Sequence, residues 1–258
     1  MTERALEIGF VNLNEDKRPK RNTEYEVVSA SSDLLADLSY PDSDIKKMSV
    51  DLFKLYIDNL PDFTSDNEGL IKIQVDTRNP QDLDGETNDA TFASEFQVSD
   101  GSHAPTFLYR GVFRNVLLRD WVNLRFDLYE LDTDSSVYYE KIKSVLSNVP
   151  EINNLDVLKG IPYLNLATNL FEGVITTFGK NPDDHIWGEV PLLELEPIPG
   201  SAFLRTGIYV LFERINSEDQ EIRFEDLLYV NGSLIINGQE KVLSNHLIFG
   251  IGLKAHNV

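Results

Sequence analysis

Trp121-Val-Asn-Leu-Arg-Phe-Asp-Leu-Tyr-Glu130 is the stretch that decides the fold class. Apolar residues occupy every second position within it, namely Val122, Leu124, Phe126 and Leu128. Successive side chains of a β-strand point to opposite faces, so a period of two indicates a strand with one buried face. The stretch therefore predicts a half-buried strand over 121–130.

Short strands joined by turns are predicted on both sides of this stretch. Asn231-Gly and Asn237-Gly are the strongest turn dipeptides in the chain, and they separate short apolar strands near the C-terminus. Neighbouring strands with short connections are typical of antiparallel pairing. Short strands at regular spacing indicate a sandwich or a barrel. We therefore predict a mostly-β protein built as an antiparallel β-sandwich.

Two of the predicted strands carry further detail. Residues 50–60 alternate, with Phe53, Leu55 and Ile57 predicted on one face. Residues 107–118 form another predicted strand, and Gly111 inside it indicates a β-bulge, because an isolated glycine weakens a regular strand.

A helical insertion is predicted after the strand at 121–130. One stripe of helical spacing consists of Tyr138, Ile142, Val145, Leu146 and Val149, and a second consists of Leu164, Ala167, Leu170, Phe171, Val174, Ile175 and Phe178. Pro150 ends the first stripe and Gly179 ends the second. These patterns predict a pair of α-helices at about 136–179, inserted at 135–180 into a single sandwich domain that spans 1–258.

The charge balance is strongly acidic. Lys and Arg number 23 against 43 Asp and Glu, which gives a net charge of −20 at pH 7. Such a field repels the phosphates of nucleic acid and anionic lipid headgroups. We therefore expect no nucleic-acid partner. A basic protein partner, a cation such as Ca²⁺, and plain solubility are the interpretations left open.

The composition also limits the chemistry and the location. The chain has no cysteine, so neither a disulfide framework nor a thiolate metal site can form. The start Met1-Thr-Glu-Arg-Ala-Leu-Glu-Ile8 lacks the pattern of a signal peptide, and the apolar runs are too short to span a bilayer. These features predict a soluble, cytoplasmic protein.

Catalytic motifs give no positive signal. The histidines His103, His185, His246 and His256 have no zinc-binding spacing, and no nucleophile elbow or phosphate-binding loop occurs. His185, beside Asp183 and Asp184, is the one local acid–base combination. Because neighbours on one loop seldom converge on a substrate, we name no catalytic residue and expect that the protein is not an enzyme.

Two segments, Leu128-Tyr-Glu-Leu-Asp-Thr-Asp134 and Asp183-Asp-His-Ile-Trp-Gly-Glu-Val-Pro-Leu192, together resemble the second half of a C2 domain. In that family a strand ends in an Asp-x-Asp loop, and the next strand begins with a segment of the form Asp-Asp-x-Ile-Gly-Glu-x-x-x-Pro-Leu. The resemblance implies a C2-like sandwich, and a jelly-roll-like arrangement is the other form considered. In calcium-binding members of the family the loop carboxylates hold the ion.

Carried over to this chain, the resemblance implies a calcium site at Asp132, Asp134 and Glu140. Asp132 and Asp134 match the Asp-x-Asp positions, and Glu140 stands at the distance of a third ligand. Calcium binding would need further oxygen ligands. Asp134 as the cap of the first helix and Asp132 at a turn explain the two residues without a metal, so we expect either no cofactor or Ca²⁺.

The sequence thus favours a non-enzymatic interaction or structural module that binds a protein partner. One alternative is a C2-like module that binds phospholipid in the presence of Ca²⁺, which is also the condition under which a membrane partner is expected. A second alternative is a hydrolase whose site is assembled from distant loops.

Overall fold

The computed structural model describes residues 5–12, 25–29, 45–59, 67–78, 87–105, 107–130, 164–166, 185–189, 191–196, 202–214, 222–236, 242 and 244–255. Most of these residues form strands, and Phe224–Asp226 form a 3-10 turn. The strands are β1 (Ala5–Val11), β2 (Tyr25–Ser29), β3 (Lys46–Ile57), β4 (Asn67–Arg78), β5 (Thr87–Val98), β6 (Ser102–His103), β7 (Tyr109–Leu118), β8 (Trp121–Glu130), β9 (Leu164–Leu166), β10 (His185–Glu189), β11 (Leu192–Glu194), β12 (Ala202–Phe203), β13 (Gly207–Arg214), β14 (Leu227–Val230), β15 (Ser233–Ile236) and β16 (His246–Ala255). The prediction of a mostly-β protein is confirmed.

The described strands form two sheets. Sheet I has nine strands in the order β15-β14-β2-β1-β13-β16-β3-β6, and β7 also pairs with β3. Sheet II has seven strands in the order β12-β11-β8-β4-β5-β9, and β10 also pairs with β8. These pairs are antiparallel apart from β11 and β12, which run parallel. Strand β8, which decides the fold class in the sequence, pairs with β4, β10 and β11 in sheet II.

The two sheets pack face to face over one large core. The four alternating apolar residues of β8 are fully buried in it, as their spacing predicts. Phe126 of β8 meets Phe249 of β16 across the interface, with ring centroids 4.9 Å apart. Burial of aromatic and aliphatic side chains on both inner faces is the main favourable contribution to such a fold.

Sheet I also curls over its outer face and encloses a second apolar cluster. The buried members of this cluster are Val11, Tyr25, Val27, Val210, Phe212, Ile222, Leu227, Leu234, Val242 and Ile248. Lys54 of β3 donates a hydrogen bond of 2.7 Å to Oγ of Ser233 at the start of β15. The curl therefore brings β15 back to β3, although five strands lie between them in the sheet.

Strand β3 departs from the predicted alternation at one position. Leu55 and Ile57 are buried in the main core, as predicted, whereas Phe53 packs against the second cluster. The register of β3 on β16 skips one residue at Phe53. The prediction that these three residues share a face was wrong, because the resulting β-bulge turns Phe53 to the outer side.

The predicted pair of helices at about 136–179 can be compared with the structure at three described residues. Within that span the structure describes Leu164–Leu166, and these residues form strand β9, which pairs with β5 at 91–93. The helical prediction for them was wrong, because a three-residue stretch fits either period and β5 offers an unpaired edge for backbone hydrogen bonds. The rest of the predicted insertion lies outside the described residues. No helix in the described chain is long and apolar enough to cross a membrane.

Candidate functional site

A cleft of about 340 Å³ lies on the outer face of sheet I, where β3, β7 and β16 run side by side. Three of its lining residues are cations: Lys47 from β3, Arg114 from β7 and Lys254 from β16. We call this site the cationic cleft. Its volume is at the lower end of the range for ligand pockets.

The side of the cleft formed by β3 follows from strand alternation. Met48 and Val50 are fully buried in the main core. The residues between and beside them, Lys47, Ser49 and Asp51, therefore point to the outer face. They are partly buried there, and all three line the cleft.

The opposite side of the cleft is formed by an irregular part of β7. The pairing of β3 with β7 shifts register twice, and each shift leaves extra residues on β7. Gly111 and Asn115 have positive φ angles of 61° and 57° and coincide with these two shifts. The bulge predicted at Gly111 is therefore confirmed. Extra residues at bulges redirect side chains, and here they place Arg114 and Asn115 on the cleft.

Gly111 also fixes the position of the Arg114 side chain. A Cβ atom built on Gly111 would lie 1.9 Å from Nε of Arg114, so the guanidinium group rests directly on the glycine. The backbone N–H of Gly111 donates a hydrogen bond of 2.5 Å to the Asp51 carboxylate. Asp51 thus uses one of its oxygens to hold the bulge, while Arg114 is exposed at the cleft wall.

Lys47 and Lys254 stand directly opposite each other on β3 and β16. Like charges at opposite positions of an antiparallel pair are destabilising. The next pair on the same face joins Ser49 to Gly252, and the Ser49 hydroxyl oxygen lies 2.8 Å from the place that a Cβ atom on Gly252 would take. Two lysines and an arginine thus border an open space within a chain of net charge −20.

A second polar group lies where β3, β6 and β16 meet. The rings of Tyr56 and His246 are stacked with centroids 4.9 Å apart, and His103 contacts the Tyr56 ring edge-on at 5.1 Å. Neither the hydroxyl of Tyr56 nor Nε2 of His246 has a hydrogen-bond partner among the described residues. His246 Nδ1 lies 2.9 Å from the Ser244 carbonyl oxygen, which fixes Nδ1 as the protonated nitrogen.

His246 is poorly suited to acid–base catalysis at neutral pH. The pKa of His246 is lowered to about 4, mainly by burial and to a smaller extent by the charges of His103 and Lys54, while the hydrogen bond to Ser244 acts in the opposite sense. A general base works best with a pKa near the working pH. Burial, and next the charge of Asp58, raise the pKa of Tyr56. We therefore interpret Tyr56 and His246 as neutral side chains that are buried for packing.

Sheet II carries a buried ionic group on its outer face. Asp127 of β8 is fully buried and lies 3.7 Å from Nζ of Lys72, which is also buried, and 2.9 Å from Nε of the half-exposed Arg125. Burial, followed by the charge of Asp127, raises the pKa of Tyr129 to about 12. The polar face of β8 is therefore partly enclosed, which its alternating sequence does not reveal.

No family model matches the chain, and no curated protein or solved structure matches it. The resemblance to C2 domains therefore stays a prediction.

The predicted calcium ligands Asp132, Asp134 and Glu140 lie outside the described residues, as do Asp183 and Asp184. The calcium site stays a prediction. Within the described part of the chain, no group of three or more His, Asp or Glu residues is placed to hold a metal ion.

Sequence reasoning missed the cations of the cleft. A net charge of −20 directs attention to the acidic residues and hides three cations that are distant in sequence. The bulge signal at Gly111 was the one local feature that pointed to this part of the molecule.

Proposed function

We propose that the protein is a non-enzymatic interaction module that binds a protein partner through the cationic cleft. The observation that carries this proposal is the concentration of three cations, from three neighbouring strands, around one open cleft on an acidic chain. Bulges in natural sheets often occur where a side chain is redirected for function, and β7 has two next to this cleft.

The groups in the cleft are suited to binding. Lysine and arginine side chains offer several N–H donors and a permanent positive charge, which favours charge-assisted hydrogen bonds to anionic groups. The cleft walls belong to three hydrogen-bonded strands, so the cations project from a rigid frame. Rigid support reduces the ordering that binding requires.

Photo-crosslinking tests this proposal. Leu108 is an exposed apolar residue just before β7 and three positions before Gly111 of the cleft, so a photoreactive phenylalanine analogue there would report on molecules bound near the cleft. The same analogue at exposed Arg223, next to the 3-10 turn, serves as the control site. We expect the variant at 108 to crosslink a protein in a lysate of the native host, and the variant at 223 to leave that protein uncrosslinked.

The crosslink must also depend on the cleft charges. Combining the analogue at 108 with Arg114→Gln and Lys254→Gln should abolish the crosslink. The identified partner, once purified, should bind the unmodified chain in a defined ratio, and the partner's own mass should stay unchanged. The proposal fails if the crosslinked proteins are the same with and without the two cations. A change in the partner's covalent mass on incubation would show an enzyme instead.

A further inference from the structure

We infer that the cationic cleft recognises the carboxylates of a short acidic segment on the partner protein. This inference rests on the proposed function and names the chemistry of the group that the cleft takes. Lys47, Arg114 and Lys254 would each contact a carboxylate of the segment.

Lys47 and Lys254 form a cross-strand pair of like charges at the cleft. Their Cα atoms are direct cross-strand partners, so two positive charges project side by side from the same face. A carboxylate between them would replace repulsion by two attractions. An anion bound there would offset the repulsion between the two ammonium groups.

The position of Arg114 depends on its contact with Gly111. Its side chain folds back over Gly111, which has φ +61° and lacks the Cβ atom that would displace the guanidinium group. Asp51, which also lines the cleft, accepts a hydrogen bond from the Gly111 N–H and so stabilises the bulge on which Arg114 rests. Arg114 therefore presents a planar fork of donors that matches the geometry of a carboxylate.

The small volume of the cleft favours a small anionic group. A membrane surface or a nucleic acid presents many negative charges over a wide area, so the field of a chain with net charge −20 opposes their approach much more strongly than that of a short peptide with few charges. Three cations around a cleft of about 340 Å³ instead match a few carboxylates. A short acidic segment would be attracted by the three cations. A basic or neutral protein that carries it would not be repelled by the net negative charge of the chain.

Titration calorimetry with a capped tetraglutamate peptide tests the inference on the full chain. We expect saturable binding, with a capped tetraglutamine peptide showing none. Arg114→Gln should weaken the binding of tetraglutamate by about 3- to 10-fold, as expected for loss of one partly screened charge-assisted contact. Arg223→Gln removes an exposed arginine far along the chain from the cleft and should leave the affinity unchanged.

A second variant keeps the cations and blocks the space. Gly252 lies opposite Ser49 on the cleft floor, and its added Cβ would meet only the terminal oxygen of that serine, at 2.8 Å. Gly252→Leu should therefore abolish peptide binding while the thermal unfolding transition remains cooperative. Raising the salt concentration from about 0.05 to about 0.3 M should weaken peptide binding several-fold, because the added ions screen the attraction between the peptide carboxylates and the cations of the cleft.

Several results would overturn the inference. One is equal binding of tetraglutamate and tetraglutamine, and another is equal loss of affinity in Arg114→Gln and Arg223→Gln. Tighter binding of inorganic phosphate, or of vesicles of phosphatidylserine and phosphatidylcholine, would assign the cleft to phosphate instead. If a partner crosslinks through the cleft but tetraglutamate neither binds nor competes, the proposed function stands and the carboxylate inference falls.

Discussion

Replacing His246 by glutamine should remove a defined part of the pH dependence of stability. His246 is fully buried, and its pKa falls from the usual 6.5 to about 4 in the folded protein. Between these two values the unfolded chain binds a proton at this site that the folded chain does not bind. Stability therefore decreases as the pH falls from about 6.5 toward about 4, and it is fully restored above that window.

The size of the effect follows from the two pKa values. By linkage, the protonation of His246 in the unfolded state costs about 2 kcal/mol of stability at pH 5 and about 3 kcal/mol at pH 4, relative to neutral pH. One kilocalorie per mole is a large fraction of the stability of an ordinary domain, so the effect is measurable. The Asp and Glu carboxylates also titrate in this range, but their contribution to the pH dependence is common to variant and wild type and cancels in the comparison.

Urea unfolding monitored by circular dichroism at pH 7 and pH 5 provides the assay. Wild type should lose about 2 kcal/mol more than His246→Gln between the two values. His103→Gln, which keeps His246 but removes a minor contribution to its lowered pKa, should retain most of the wild-type loss. Parallel losses in wild type and His246→Gln would refute the assignment of a buried, neutral imidazole.

Three further outcomes are expected. Asp127→Asn should lower the free energy of unfolding in urea by about 3 kcal/mol, because it removes the buried negative charge 3.7 Å from the buried Lys72 ammonium. Arg223→Gln, in an exposed ion pair, should lower it by less than about 1 kcal/mol. Gly111→Ala should lower both stability and tetraglutamate affinity. Gly101→Ala, at the similar φ of +67° but with its Cβ at ordinary contact distance from the Tyr56 hydroxyl, should lower stability alone. An unchanged affinity in Gly111→Ala would mean that Arg114 does not depend on the glycine. Calorimetry with millimolar Ca²⁺ should give no binding heat, and a saturable heat would favour the calcium-dependent alternative.

Local sequence signals predicted much of the sheet structure. The alternation in 121–130 gave the bounds of β8, because every second residue enters a continuous core. Asn231-Gly gave the turn of the β14–β15 hairpin, where Asn231 and Gly232 both have positive φ angles. The glycine at 111 indicated the bulge in β7 for a similar reason, since its conformation is difficult for other residues.

Features that depend on strand pairing could not be predicted. The cationic cleft unites Lys47, Arg114 and Lys254, which are far apart in the chain and meet through the register of β3 with β7 and β16. The outward turn of Phe53 also depends on a register shift, which no local pattern records. Leu164–Leu166 fits both a helical and an extended period, and pairing with β5 selects the strand.

Chemical-shift mapping by NMR can locate the bound peptide on the chain. On addition of tetraglutamate to the isotope-labelled full chain, we expect the largest backbone shift changes at 47–51, 111–115 and 252–254, the three segments that line the cationic cleft. Tetraglutamine should produce no such changes. Shifts that fall mainly elsewhere on the chain, or that are the same for both peptides, would contradict the account.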